Sequence, residues 1–521
     1  MDTLNPAAIA TFISHTHRGI RAPPWRIFRE GDQRHLHGRA RELPTQQRAP
    51  RELPKRIGMA QGGQRRPPWS DGFSEAFRQL KGYDVIPRLS DLTLDTPESD
   101  KTRRDYWDTI TECFRKSYYA QIGDWCRAHG IRFFGHPLFE EPLSRMLHYQ
   151  GDFFRTQREF HIQGVDNVFG RYGFAKLGGE YGSEPIACKL ASSTANQKGR
   201  PFEEGEAKRV LCETHAVSPD DYSVEDMRRM ADWLAVLGVN MLFLVGYPAS
   251  RHGFKYFRLF DAGRHFGGMK PYCDYVARLS HILTRGVHKA PLAILFPTSS
   301  YWTRNNRNSL DDPSWKAVEG GFAELSISLL RRQLDFDYLF EDSLLEAAVE
   351  RGRLSVGDER FPAIVVPPVT CLSEELREKL KRCVEAGCEV FIYNPRGAPL
   401  WTGDGDAGIV MPSLDQLLAA LEPFGELRVK TRDNTPDDII YHRREIGKES
   451  VFFIANTGER RHEEAIVSMK ALGRPQLWDC GSGAAKPIEF LEKDGWREVR
   501  LSFEAYQSHL IVMTENGGGV T

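Results

Sequence analysis

Residues 224–245 read VEDMRRMADWLAVLGVNMLFLV, and this stretch decides the fold class. The spacing predicts a helix over Val224–Leu237, a stop at Gly238, and a short apolar strand over Asn240–Val245. The same rhythm occurs upstream. Tyr106, Ile110, Phe114, Tyr118, Ile122 and Trp125 recur at four-residue spacing, which predicts one long amphipathic helix. Gly130 ends it, and IRFFGH (131–136) follows as a strand. Helix, glycine and buried strand in repetition form the βα rhythm of a parallel barrel or sheet.

Working outward, a new unit begins near Pro291. LAILFP (292–297), AIVVPP (363–368) and EVFIY (389–393) read as buried strands, with helices expected at 314–332 and Glu374–Ala386. This alternation predicts a doubly wound, flavodoxin-like α/β domain over 291–430. Beyond it the pattern shortens to alternating strands at 439–442, 451–455, 497–501 and 509–513, as in a β-sandwich over 431–515 with a tail at 516–521. The fold class expected is therefore α/β: an incomplete (β/α)8-type barrel over 67–290, then the flavodoxin-like domain, then the sandwich.

At 521 residues the chain is long enough for two to four domains. Its 70 Lys+Arg and 71 Asp+Glu nearly cancel, which argues against nucleic acid or an anionic membrane as partner. Nine scattered Cys without a CxxC pair read as buried thiols of a reducing compartment. No apolar run approaches the ~18–20 residues that span a bilayer, and no signal peptide is visible. The expectation is a soluble, cytoplasmic protein.

Residues 1–17 read as a short amphipathic helix, but the next segment is anomalous. Between Arg18 and Arg66, 12 of 49 residues are Arg, without apolar periodicity. A disordered basic tail or a nucleic-acid arm is the ordinary reading, and neither explains such a tract inside an enzyme-like chain.

Several motifs then follow in order: WSDGF (69–73), KGYD (81–84), RRDYW (103–107), WCRAHG (125–130), GHPLFEEP (135–142), GVDN (164–167), KLASS (189–193), GRPFEEGE (199–206) and GVN (238–240). YVARLSHIL (275–283), LFPT (295–298) and WDCGSG (478–483) continue the series. Together they resemble the α-L-rhamnosidase-like glycoside hydrolases of family 106, over about 67–515. The resemblance implies hydrolysis of O-glycosidic bonds in a carbohydrate substrate, with no cofactor beyond a structural calcium ion.

Glycoside hydrolysis uses two carboxyl groups flanking the scissile bond, placed in a barrel at the C-terminal ends of strands. The resemblance puts an acidic site residue at Asp166, otherwise a capping residue in a turn, and a strand-end acid at Glu206, otherwise one of three solvated carboxylates with Glu203 and Glu204. His136 is a candidate for sugar hydroxyls or for orienting a carboxylate, or a structural histidine. Glu140 and Glu141 are candidates for the same mouth. Trp69 and Asp71 suit a sugar platform and a hydroxyl acceptor, or a core aromatic and an N-cap. Tyr247 joins the substrate-binding candidates. Related sequences carry a His where Val245 stands and an aromatic cluster where this chain has Gly246, Tyr247 and Pro248, which weakens the inference of rhamnosidase activity.

The family usually carries an IFTDEP-type strand ahead of the Trp-x-Asp segment, and 18–66 lacks it. Arg26–Pro44 can be encoded so that dropping one base yields EYFGKEIKGIFTDEPENFP, the motif arising from Arg34–Ala40. The middle base of each shifted codon comes from a wobble position. The outer two are nearly dictated by the protein sequence, so such a motif is hard to obtain by accident. The tract then reads as a frameshifted strand of an N-terminally truncated barrel, whose earlier strands are expected upstream of Met1. A catalytically inactive carbohydrate-binding remnant is the alternative function, and the activity of this copy is in doubt. The sugar, the linkage and the oligomeric state stay open.

Overall fold

The computed structural model describes residues 2–16, 67–137, 140, 143–167, 172–174, 184–198, 202–203, 206–215, 221–244, 266–304, 312–395, 401 and 406–514. The tract at 18–66, Glu141, Val245 and Tyr247 lie outside the described residues.

Three parallel strands, β1 (Gln163–Asn167), β2 (Val210–Thr214) and β3 (Met241–Leu244), form one sheet in that order. The chain returns between them through helices Glu184–Lys198 and Val224–Val236, and helix Phe266–Leu283 follows β3. Val224–Val236 starts at a capping box in which the Ser223 hydroxyl accepts the Asp226 N–H and the Asp226 carboxylate accepts the Ser223 N–H. It stops at Gly238, whose φ of 98° favours glycine and where a Cβ would stand 2.3 Å from Ser192 Oγ. Asn240 then fastens the strands. Its Oδ1 accepts the Val210 N–H at 2.9 Å, and its own N–H donates to Val210 O at 3.0 Å. Val165 and Cys212 turn into the helix-covered core, so the alternate residues Asp166 and Glu213 turn to the opposite face.

The expected strand at 131–136 is reduced to one parallel bridge, Phe134 with Ile162. Gly135, at φ 145°, interrupts the extended run. The long helix is present in three pieces: α-helical Ser99–Phe114, π-helical Arg115–Ala120 and α-helical Gln121–Ala128. Strict four-residue spacing drifts about 40° per step around a 3.6-residue helix. The wider π turn takes up that drift within the stripe from Tyr106 to Trp125. Helix Pro6–Thr16 packs Ile9 and Ile13 against its last section at Ile122 and Cys126.

The next sheet is all parallel, in the order Ile409–Met411, Glu389–Tyr393, Ala363–Val366, Leu292–Leu295, Phe336–Leu339. Its side chains alternate between two clusters. Ile294, Tyr338, Val365 and Phe391 enter one, and Leu295, Leu339, Ile364 and Ile392 enter the other. Burial on both faces explains the unbroken apolar runs of these strands. The crevice where the strand order reverses is filled by helix Thr298–Arg304. There Ser300 Oγ donates to Cys371 O at 3.1 Å and accepts the Thr370 N–H at 3.0 Å.

Two antiparallel sheets complete the chain. One contains Leu427–Lys430, His462–Lys470 and Trp496–Phe503, and the other Ile439–Ile446, Glu449–Asn456 and Ser508–Thr514. They bury one apolar cluster between them, including Val429, Val467, Phe503, Phe452 and Ile511. This unit begins at Leu427, inside the segment assigned from sequence to the preceding domain. Its larger sheet also takes in Val287–His288, which pairs with Arg444 and Glu445. The cut at 290/291 therefore runs beside a strand that both sides share.

Candidate active site

The C-terminal ends of the three parallel strands carry one row of side chains. Asp166 of β1 pairs in register with Glu213 of β2, and Glu213 with Phe243 of β3. In-register residues of parallel strands share a face, and neighbouring strands lie about 4.8 Å apart. Asp166 and Glu213 are therefore adjacent acids. Close approach of the preceding segment is built in at Gly164, where a Cβ would stand 2.4 Å from Gly135 O.

That segment delivers His136. Its Nε2 lies 3.1 Å from Glu213 Oε2 and its Nδ1 2.6 Å from Glu140 Oε1. Burial works against a charged ring, but the hydrogen bond and charge of Glu140, with Asp166 and Glu213 adding, raise the His136 pKa to about 10. Burial pushes Asp166 the other way for its type. Desolvation, then the charges of Glu140 and Glu213, raise its pKa to about 7 against the opposing pull of His136. Asp166 Oδ1 is buried without a hydrogen-bond partner among the described residues. The group thus pairs a carboxyl that holds its proton near neutrality with a second acid fastened by an imidazolium, a division of roles that acid/base hydrolysis needs.

Of the residues singled out from sequence, Asp166, His136 and Glu140 come together here, while Glu141 and Tyr247 lie outside the described residues. Glu206 does not join them. It precedes β2 instead of closing a strand, and its Oε1 accepts from Arg132 Nε at 2.8 Å while Oε2 accepts the Phe202 N–H at 3.1 Å. It lines a cavity of about 660 Å3 with Gln163, Lys208 and Arg209, at the N-terminal ends of the strands. Trp69 and Asp71 stand at the head of helix Phe73–Lys81, where the Trp69 ring lies 4.9 Å from Phe73. Gly72, not Asp71, holds the N-cap position.

Glu213 escaped the sequence reading. Its signal was the same as that of Asp166, an apolar strand (VLCET, 210–214) ending in an acid, but attention went to the earlier acid of GRPFEEGE.

A family model described as alpha-L-rhamnosidase matches residues 61–421. The chain belongs to glycoside hydrolase family 106. The match begins just as the arginine-rich tract ends. A family relationship also links it to a Formosa agariphila protein provisionally named a beta-glucuronidase, 21% identical over 458 residues, covering 80% of this chain and 34% of that one. Among solved structures, a rhamnosidase from Novosphingobium sp. PP1Y superposes with a TM-score of 0.66 at 19% identity, covering 87% of this chain and 44% of that one. A GH42 beta-galactosidase from G. stearothermophilus gives a TM-score of 0.57 at 11% identity, covering 85% and 75%. The chain thus spans about a third of the curated relative and less than half of the rhamnosidase.

The calcium ion implied by family 106 resemblance calls for six to eight oxygen donors. Among the described residues, the two groups that converge as metal ligands are centred on a histidine, His288, and lie away from Asp166. That donor set does not fit calcium. No helix among the described residues is long and apolar enough to cross a membrane.

Proposed function

We propose that this chain carries a glycosidase site of the rhamnosidase type, acting on an O-glycosidic bond through Asp166 and Glu213. The reading rests on one observation: two carboxyl groups, in register at the C-terminal ends of neighbouring parallel strands, share one histidine-clamped group. Asp166 donates the proton to the leaving oxygen, since burial holds that proton up to about pH 7. Glu213 supplies the negative charge that the oxocarbenium-like transition state needs, and His136, held by Glu140, positions it. The wider arrangement fits the same reading: a partial (β/α) barrel bearing the site, a flavodoxin-like domain and a β-sandwich behind it.

The substrate is a carbohydrate with a terminal α-L-rhamnosyl unit, by family membership. The test is a panel of aryl glycosides, including the α-L-rhamnoside, with Asp166→Asn and Glu213→Gln. Release of aryl alcohol that falls at least ~100-fold in either variant supports the assignment. Turnover indifferent to both substitutions overturns it. Glycan binding that survives both, without turnover in any chain, favours the carbohydrate-binding remnant.

A further inference from the structure

A second polar group lies far inside the protein, where helix Glu184–Lys198, strand Val287–His288, strand Phe336–Leu339 and strand Glu359–Phe361 meet. His288, Asp337 and Glu359 are at most 1% exposed, and each offers one ligand atom, all within 4.8 Å of one another. Glu359 Oε1 has no hydrogen-bond partner among the described residues. An unpartnered buried carboxylate oxygen is costly, and this one is aimed at two further electron-pair donors.

The imidazole is oriented as metal-binding imidazoles are. His288 Nε2 lies 2.8 Å from Asp335 Oδ2, and Asp335 Oδ1 receives Lys189 Nζ at 2.8 Å. Such a carboxylate–histidine contact keeps the proton on Nε2 and leaves the Nδ1 lone pair for a ligand. Nδ1 itself meets a donor, Asn196 Nδ2 at 3.1 Å, and an acceptor, Asp337 Oδ2 at 3.2 Å. No single state of Nδ1 suits both. Asp337 Oδ1 is already taken by Ser193 Oγ at 3.0 Å. Asp335, Asp337 and Glu359, when ionised, outnumber the two fixed cations, Lys189 and Arg444, buried around them. One positive centre is missing.

We propose that His288, Asp337 and Glu359 bind one structural divalent ion of the zinc class, with Asp335 as the positioning residue behind His288. One nitrogen and two carboxylate oxygens with a fourth position open suit zinc. The overlapping group of His288, Asp335 and His442 does not, because the two rings stack with centroids 4.4 Å apart at an interplanar angle of 3°. Lone pairs in parallel, stacked planes do not converge on one ion. A metal at the chosen position would tie the parallel-strand half of the chain to both later units.

The experiment is metal analysis of the full chain, expressed with zinc supplied and passed through gel filtration. About one zinc per chain is expected, with a melting temperature that drops on chelation and recovers on zinc addition. Glu359→Gln and Asp337→Asn keep the shape and should lower retention at least ~10-fold, as should Asp335→Asn through His288. Cys273→Ser, at an exposed thiol, should retain the metal. Less than roughly a tenth of an equivalent in the wild-type chain, with a melt indifferent to zinc, overturns the proposal in favour of a protonated His288. So does zinc retained undiminished by Glu359→Gln and Asp337→Asn. Should those variants not fold, cobalt loading of the wild-type protein decides. Visible d–d absorption without a thiolate charge-transfer band supports the site, whereas a thiolate band or no uptake overturns it.

Discussion

His136 Nε2 stands 3.1 Å from Glu213 Oε2, so an imidazole ahead of β1 clamps the acid at the end of β2. The clamp works only while the ring is charged or keeps its Nε2 proton. With Nδ1 2.6 Å from Glu140 Oε1, the ring donates from both sides.

His136 is therefore expected to remain an imidazolium through neutral pH. Its folded pKa, about 10, lies above the ordinary 6.5. The stability it contributes is full below about pH 6.5 and is lost as pH rises towards 10. NMR titration of the ring checks this. Glu140→Gln, which removes the strongest raising partner, should lower the midpoint by about one unit or more. A wild-type midpoint near 6.5 would mean that the clamp is not formed.

Asp166 has the opposite effect on stability. Its pKa rises on folding to about 7 from the model value of 3.8. The folded state then binds more protons than the unfolded state between those values, and stability falls as pH rises through that window. Asp166→Asn should be more stable than wild type at pH 8, by on the order of 2 kcal/mol. The gap should close near pH 4. Urea unfolding of both chains at the two pH values measures it, and a gap independent of pH refutes the placement.

Lys189 and Asp335 are 1% and 2% exposed, in different units of the chain. Breaking a buried ion pair from one side strands the other charge, at a cost of about 3–5 kcal/mol. Lys189→Met should lose about that much stability, read by chemical denaturation. A fragment starting at Pro291 removes Lys189, His288 and the Val287–His288 strand together. It should lack a cooperative melt, although its strand and helix pattern, taken from sequence alone, looks self-sufficient. A sharp melt of that fragment would show that the shared core is dispensable.

This case marks how far the sequence could be read. Helices with side-chain caps and strands buried on both faces were legible: Glu374–Glu385 and Glu389–Tyr393 lie almost where the pattern puts them. Short edge elements were not. Ile409–Met411 is largely exposed and carries little hydrophobic signal, and His462–Lys470 hides its alternation behind charged outward residues. At the site, Asp166 was legible as an acid after a strand. Glu206 and Glu213 are seven positions apart, and only the register with β1 shows which one stands beside Asp166. Contacts such as Lys189 with Asp335 depend on how whole units dock, which local pattern does not encode.

The coding DNA across residues 18–66 should contain, one base on, an open frame encoding an IFTDEP-type strand. The arginine excess motivates this, as does a family match that starts only at residue 61. Sequencing the gene settles it: a stop codon in that frame, or codons incompatible with the motif, refutes the reading.

If that frame is the ancestral one, activity should respond to restoring it. Phe134 and Phe243 are 42% and 48% exposed, with ring centroids 6.2 Å apart, at the mouth that holds Asp166. Two large apolar rings open to solvent there mean that water reaches carboxyl groups whose protonation states depend on its exclusion. A catalytic pair also tolerates little misplacement, since about 1 Å can cost ~100-fold in rate. The chain with its present 18–66 should therefore turn over an aryl α-L-rhamnoside weakly or not at all. A chain carrying the neighbouring-frame translation of 18–66 should do so at least ~10-fold faster, with Asp166→Asn abolishing the gain. Equal, robust turnover by both chains would show that the tract takes no part in the site and that the exposed rings are the working mouth of a finished enzyme.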